Sequence, residues 1–513
     1  MKSKYTLGTR GSLLALTQSK ILLKELSEKT GLDFEIKTIK TQGDLVTDKP
    51  LWQIDGKDFF TKELDRALLA GEVDFVIHSY KNLGSDRPEG IKLAAIPPRL
   101  FPNDVLLFKK QSLTEDKKVY LIGTSSPRRI VNIEDSLIDF LPIPSSSKIK
   151  CENLRGNVNT RIEKLKNTNL DGIVLAMAGL ERLARREDSK KTLISLLKDL
   201  NLSILPQSIF PSSSSQGALG VEYCPKHNPE LKEVFNKVHC QETADLVGME
   251  RKSFSKYGGG CHLAIGIHVK KTNIGLVEIH KGFHNNVSIN KRILVEGPLN
   301  RDLKPLEESS KVFLGLPETN ETYSNTLYDQ ALKKTNYPLA DQLSGDLIVT
   351  SKYCMSSLDN KENQVSIWSS GIFTWKRLVK QGFWVTGSAD SFGLEEIYQF
   401  EKSELLKIHL DRSPQWNILT AKGVKYSKKH TAVYQRQMEN LSLEEEKELK
   451  QAEAFYWTSF YQYQEYSKKL PSIRNKKHFC GIGKTFNQFN ENSIEVTPVI
   501  NMQELKDCLR KRK

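Results

Sequence analysis

The stretch DGIVLAMAG, residues 171–179, decides how the first part of this chain is read. It reads as a strand apolar enough to be buried on both faces, as in a parallel sheet. Upstream, DFEIKTIK (33–40) sets Phe34, Ile36 and Thr38 against Glu35 and Lys37, the alternation of a half-buried strand. TKELDRALLAG (61–71) reads as a helix with Leu64 and Leu68 on one face and Gly71 placed to cap its end. VDFVIH (73–78) is a short apolar strand ending at His78. This repetition over about the first three hundred residues predicts doubly wound α/β domains, whose ligands bind at the carboxyl ends of strands.

A length of 513 residues predicts roughly three or four domains. Hydrophobic, aromatic and charged fractions of 38%, 8% and 27% are those of an ordinary soluble protein with real cores. The longest apolar run, GIVLAMAGL from Gly172, is about half the ~18 residues a membrane span needs. The basic N-terminus with LLAL is too short in its apolar part for a signal peptide, so a cytoplasmic protein is expected. Seven scattered cysteines (151, 224, 240, 261, 354, 480 and 508) without a C-x-x-C pair suggest neither a disulfide framework nor a zinc site. The net charge of +14 calls for an anionic partner. Aromatic residues do not interleave with the basic ones as on an RNA-binding surface, which leaves a polyanionic small molecule ahead of nucleic acid.

FPSSSSQGALG, from Phe210, interrupts the strand and helix pattern and suits a flexible hinge or a loop over a ligand. From about Asn300 the texture changes: EGPLNRDLKPLEESSK (296–311) reads as a linker, and a second α/β pattern follows to the C-terminus.

Several probable strand-to-helix turns carry arginine beside small residues. GTRGSLLALTQ (8–18) places Arg10 and Ser12 before an amphipathic helix whose Leu16, Leu23 and Leu26 share a face. GTSSPRR supplies Arg128 and Arg129, LRGNVNTR supplies Arg155 and Arg161, and HSYK ends at Lys81. Helix N-termini favour anions and arginine forks match carboxylates, so together these turns predict a cleft for several carboxylates. KYGGGCHLAIG (256–266) sets three glycines before Cys261. The residues alone fit either a turn that needs positive φ and ends in an inert thiol, or a thiol held in the open to carry a group.

In order, TRGSLLALTQ, TQGD, GKDFFTKELDRALL, DFVIHSYK, GTSSPRR, LRGNVNTR, DGIVLAMAGLERL, SQGALGVE and ERKSFSKYGGGCHLAIG resemble the hydroxymethylbilane synthase (porphobilinogen deaminase) family. The resemblance implies two periplasmic-binding-protein-like domains, here 1–99 with 217–238 and 100–216, and a small α+β domain at 239–300 that carries the cysteine. It implies a dipyrromethane cofactor held by a thioether to Cys261 and made from two substrate molecules. That cofactor primes the addition of four porphobilinogens, each losing ammonia, before hydrolysis releases the chain. Carried onto matching positions, catalytic roles fall on Arg10, Asp44, Lys81 and position 82. Cofactor binding falls on Ser12, Lys81, Thr124, Ser126, Arg128, Arg129, Arg155 and Cys261, and substrate binding on Arg10, Gln18, Phe60, Arg128, Arg155, Arg161 and Gln216. The partners implied are porphobilinogen and polycarboxylate pyrrole intermediates, with no metal, nucleic acid or membrane, and a monomer is expected.

One residue departs from the family pattern. Where the family carries its principal catalytic aspartate after Lys81, this chain reads HSYKNLG and has Asn82. Asparagine has the shape of aspartate without its charge or a useful pKa, and such contributions are worth on the order of 10² to 10⁴ in rate. Weakened turnover is expected unless Asp44 compensates. The competing reading is a catalytically impaired pyrrole-binding protein of solute-binding-like fold.

Residues 345–513 resemble uroporphyrinogen-III synthase through GDLIVTSKYCMSSL, VSIWSSGIFTWKRLVKQGFWVTGSADSFGLEEI, AFYWTSFYQYQEY and KKHFCGIGKTFNQF, with 301–344 left as linker and uncertain region. The resemblance implies two α/β domains around a cleft and cyclisation of the linear tetrapyrrole. A strand, a Thr-Ser turn and a helix recur at Thr350–Ser351 and Thr458–Ser459. Ser370, Thr374, Ser388, Tyr434, Ser459 and Thr485 are candidates for holding substrate, and each also fits an ordinary cap or turn.

Overall fold

A computed structural model of the chain describes residues 2, 4–41, 61–84, 86–260, 262–297, 301, 303, 306–307, 309–316, 325–337, 343–358 and 366–509. The chain divides into two compact units. The first is Met1–Lys270 with Glu278–Lys291 and Phe400–Pro414; the second is Lys271–Val277 with Arg292–Gln399 and Gln415–Lys513.

The first unit holds two five-stranded sheets, and both are mixed. In one, the order is Asp33–Thr38, Lys4–Thr9, Phe75–Ser79, Leu219–Tyr223, Lys92–Ala95. Lys4–Thr9 runs parallel to both neighbours, while Leu219–Tyr223 returns antiparallel between its own two. Tyr5, Leu7, Phe75 and Val221 pack there with Leu22 and Leu26 of the helix Leu13–Thr30. That helix starts at Ser12, whose Oγ accepts from the Ala15 amide, and stops at Gly31 with φ 70°. Its buried face is set by Leu22, Leu23 and Leu26, whereas Leu16 is only half-buried. The stripe is shifted because polar Ser19 can also turn inward, its hydroxyl donating to Thr9 Oγ1 at 3.0 Å. The helix Lys62–Leu69 buries Leu64 and Leu68 as the pattern predicts, and Gly71 follows it with φ 72°.

In the other sheet the order is Lys148–Glu152, Val119–Gly123, Gly172–Ala176, Asp104–Lys109, Leu200–Ile204. The strand in DGIVLAMAG is therefore central and buried, but it ends at Ala176, and Met177–Ala184 is helical. A short apolar run does not tell strand from buried helix, and Met, Ala, Leu and Glu favour helix once the strand closes. Its partner Val119–Gly123 is parallel and its partner Asp104–Lys109 antiparallel, so a wholly parallel sheet is not what forms.

The stretch from Phe210, read as a flexible hinge or a loop over a ligand, is a buried segment. Ser212, Ser214, Ser215 and Gln216 are all enclosed, the Ser212 amide donates to Gln207 Oε1, and the Ser215 amide donates to Glu250 Oε2. The run looks solvated in sequence, yet its backbone is bonded inside, while the Ser212, Ser214 and Ser215 hydroxyls are buried without a hydrogen-bond partner among the described residues. The helix Gln241–Ser255 follows, then a three-stranded sheet of Ala264–Thr272, Gly275–His284 and Val287–Glu296.

The second unit contains a five-stranded parallel sheet ordered Thr326–Tyr328, Val312–Leu314, Ala454–Trp457, Lys477–Gly481, Thr497–Val499. Its six-stranded sheet is ordered Leu332–Asn336, His430–Met438, Trp416–Ala421, Asp346–Val349, Ile367–Ser369, Gly387–Ser388, with the first pair antiparallel and the rest parallel. Three of these strands come from 301–344, the stretch left as linker and uncertain region; Val312–Leu314 is too short to show any alternation. The Thr-Ser turns are as expected: Ser351 caps the 3-10 turn Lys352–Ser357, and Ser459 caps the helix Phe460–Lys469. Among the described residues no helix is long and apolar enough to cross a membrane.

Candidate functional site

Asp104 opens its strand fully buried, at a point where the chain has just passed from the first sheet to the second. A carboxylate there needs partners, and the first turn of the helix Pro127–Ser136 supplies them. Arg129 grips it with two nitrogens at 2.7 and 3.1 Å, and Arg128 Nη1 lies 2.9 Å from Oδ2. Burial alone would raise the Asp104 pKa, but the two guanidiniums outweigh it and hold the carboxyl well below its usual range. Arg128 also donates to the Pro211 carbonyl and Arg129 to the Val174 carbonyl, which fixes both forks.

Lys81 enters the same place from the first sheet, on the 3-10 turn Tyr80–Asn82 after the strand Phe75–Ser79. Its ammonium donates to Gln216 Oε1 at 3.1 Å, and the Gln216 amide donates to Asp104 Oδ1 at 2.8 Å. Enclosure of the ammonium, helped by Arg129, Arg128 and Arg161 and opposed by Asp104, lowers its pKa to about 7. Arg161, on the helix Val158–Asn167, is lowered to about 10 by burial and by Arg129 and Arg155. Two arginines thus pair with one carboxylate while Lys81 and Arg161 lie close enough to feel Arg129, an excess of positive charge suited to a polyanion.

The other predicted residues fall as follows. Ser126 precedes the Arg128 helix without capping it through its side chain, and Thr124 is buried two residues earlier. Arg155 is half-buried beside Arg161, and Arg10 lies near enough to His78 to help push that buried imidazole down to about 3, after burial and Arg87. Gln18 is buried and accepts from Ser79 Oγ at 3.3 Å. Asn82 is exposed at the end of the Lys81 turn. Asp44, Phe60 and Cys261 lie outside the described residues. The glycines before Cys261 do adopt positive φ, at 96°, 65° and 106° for Gly258, Gly259 and Gly260, a run only glycine takes without strain.

Sequence reasoning missed Asp104, which stands in FPNDVLLFK as an ordinary polar residue before an apolar strand. It also missed Arg99, which pairs with the buried Glu250 at 2.8 and 3.0 Å and donates to the Gln216 carbonyl at 2.7 Å. Asp65, His78 and Glu222 converge as a metal site would, but Arg87 bonds both carboxylates there and already supplies the positive charge.

The second unit has its own cluster. Arg436 stacks on Tyr461 with 4.0 Å to the ring centre, and Lys484 lies 3.5 Å over Tyr426. Burial pushes Tyr434 up to about 12 and lowers both Arg436 and Lys484, the last further depressed by Arg436. Of the predicted residues only Tyr434 belongs to it. Ser370, Ser388, Ser459 and Thr485 make local bonds at strand ends and turns, and Thr374 lies half-buried on the helix Ile372–Lys380.

The two sheets of this mixed α/β unit thus bring guanidinium and ammonium groups close to one buried carboxylate. A family profile described as porphobilinogen deaminase, dipyromethane cofactor binding domain, matches residues 5–233. The porphobilinogen deaminase of Listeria monocytogenes serotype 4a (strain HCC23) is 35% identical over 275 residues, 53% of this chain and 83% of that protein. The porphobilinogen deaminase of Desulforamulus reducens is 36% identical over 275 residues, 53% of this chain and 82% of that protein. The chain belongs to the porphobilinogen deaminase family. A solved uroporphyrinogen-III synthetase from Helicobacter pylori 26695 aligns at 17% identity with a TM-score of 0.28, over 39% of this chain and 97% of that one, a likeness too slight to argue from.

Proposed function

We propose that the first unit is a hydroxymethylbilane synthase, a transferase that joins four porphobilinogens head to tail with loss of ammonia on a dipyrromethane primer attached to Cys261. The observation that carries this reading is the pairing of Arg128 and Arg129 with the buried carboxylate of Asp104, to which Gln216 joins Lys81, with Arg161 close enough to act on Arg129 and Lys81. Each pyrrole of the growing chain brings an acetate and a propionate, so this excess of positive charge fits the cofactor and what is built on it. When bound, the cofactor supplies the end to which pyrroles are joined.

The chain's own residues bind and orient. Arg155, Arg161 and Lys81 hold carboxylates, with Ser12, Thr124 and Ser126 adding hydroxyls, and substrate binding is also assigned to Arg10, Gln18 and Phe60. Arg128 and Arg129 are already committed to Asp104 and to the Pro211 and Val174 carbonyls, and they contribute positive charge to the site. Asn82 offers neither charge nor proton, so turnover is slow, with Asp44 as the carboxylate able to compensate. The domains proposed are 1–99 with 217–238, 100–216 and 239–300; the first sheet draws only on 4–95 and 219–223, which supports that division.

The second unit is proposed to be a uroporphyrinogen-III synthase. The Arg436, Lys484, Tyr426, Tyr434 and Tyr461 cluster supports this, offering cations and hydroxyls to substrate carboxylates without a strong acid or base.

The experiment is stoichiometric: one ammonia released per porphobilinogen consumed, with a tetrapyrrole as product. Porphobilinogen uptake without any ammonia release would favour the second reading that Asn82 raises, a pyrrole-binding protein that has lost its catalysis.

A further inference from the structure

Residues Phe400–Pro414 belong to the first unit although the sequence on both sides of them belongs to the second. Their attachment is specific. Glu181, completely buried on the helix Met177–Ala184, accepts from Ser403 Oγ at 2.8 Å, from the Glu404 amide at 3.1 Å and from the Leu405 amide at 3.2 Å. Arg185 balances its charge from one turn away at 3.0 Å. Leu405 and Leu406 are buried in the same place, and the Phe400 ring stacks on Phe101 with 5.1 Å between centres.

Both anchors hold the passage between the two sheets of that unit. Phe101 stands inside it, next to Leu100, whose amide donates to the Gly217 carbonyl, and three residues before Asp104. Glu181 adjoins Arg182, which donates to the same Gly217 carbonyl at 2.7 Å, and the first residue of their helix, Met177, donates to the Asn103 carbonyl at 2.9 Å. Gly217 sits at φ 91°, and an added Cβ would meet the Leu100 oxygen at 2.3 Å, so the crossing is tightly closed. A buried carboxylate deprived of its donors is costly, which makes Glu181 dependent on residues far along the chain.

We propose that Phe400–Pro414 is a brace on this passage, with Glu181, Ser403 and Phe400 as positioning residues that set how the two lobes beside Asp104, Lys81 and Gln216 yield as pyrroles are added. The part concerning pyrrole addition rests on the deaminase reading above. The brace itself does not.

Two measurements on the full-length chain separate them. The first is amide hydrogen exchange in Ser403→Ala, Phe400→Leu and Glu181→Gln. Exchange at 404–406 and at 99–104 should quicken about tenfold in the variants, while 105–108 and 173–175 stay as in the unaltered protein. Ser403→Ala leaves the core intact should Glu181→Gln fold poorly. Normal protection at 99–104 with loss at 404–406, or faster exchange everywhere alike, overturns the brace. The second is intact mass under limiting porphobilinogen, at equal folded fraction. The population of successive one-pyrrole adducts should shift in the variants, and an unchanged ladder overturns the positioning role. A ladder missing from the unaltered protein contradicts the deaminase reading, and the exchange result then decides the brace alone.

Discussion

The amide nitrogen of Gln216 stands 2.8 Å from Oδ1 of Asp104, while its oxygen accepts from Lys81. One neutral side chain thereby links a cation of the first sheet to the carboxylate of the second. Gln216→Leu strips a donor from Asp104 and the acceptor from Lys81 inside a buried site. Unmet polar groups of this kind cost about 1–3 kcal/mol each. We expect a lower urea midpoint with an unchanged slope, and an unaltered midpoint would show that the link contributes nothing.

Lys81 gives a pH signature. Its folded pKa of about 7 lies below the usual lysine value, so between pH 7 and about 10 the unfolded chain holds a proton that the folded chain has released. Stability from this group therefore rises with pH across that window, and below about 7 its enclosed charge is a constant burden. A polycarboxylate bound beside it restores the charge, so binding near pH 8 should take up protons. Calorimetry in buffers of different ionisation enthalpy measures this, and Lys81→Met should abolish the uptake. Binding of equal heat in all buffers would contradict it.

Asn82→Asp restores the carboxylate that the family pattern carries. Turnover should rise on the order of 10² to 10⁴, the worth of a general acid–base or charge-stabilising group. A rate that does not change would mean that another group, Asp44 foremost, already does this work.

In the second unit, Arg436→Leu removes the cation stacked on Tyr461. The unaltered chain should yield uroporphyrinogen III from porphobilinogen, and the variant should shift towards isomer I without losing porphobilinogen consumption. Isomer I alone from the unaltered chain would rule out a working cyclase.

Much of this was legible in the residues, and the failures have physical causes. Helix 62–69 follows from periodicity because it buries Leu64 and Leu68, and strand 33–38 because Phe34 and Ile36 are half-buried against exposed Glu35 and Lys37, although Thr38, expected on the same face, is exposed. DGIVLAMAG carries no period, since its strand is buried on both faces, so the switch to helix at Met177 left no mark. The arginines were found because turns with small residues are conspicuous. Asp104 was harder: a lone Asp before a strand looks solvated, and only the sheet crossing buries it and brings it to Gln216 and Lys81, whereas Gln216 follows from the family resemblance. Arg436 and Lys484 are about fifty residues apart and meet only through the fold.

The central claim is that Cys261 carries a pyrrole primer in a site charged to hold a polyacid. The intact mass of the full-length protein, before and after porphobilinogen is added, tests it most directly. The account predicts an added mass of two linked pyrroles that Cys261→Ser abolishes, followed by further one-pyrrole steps. A mass equal to that of the bare chain, unmoved by porphobilinogen, would contradict it.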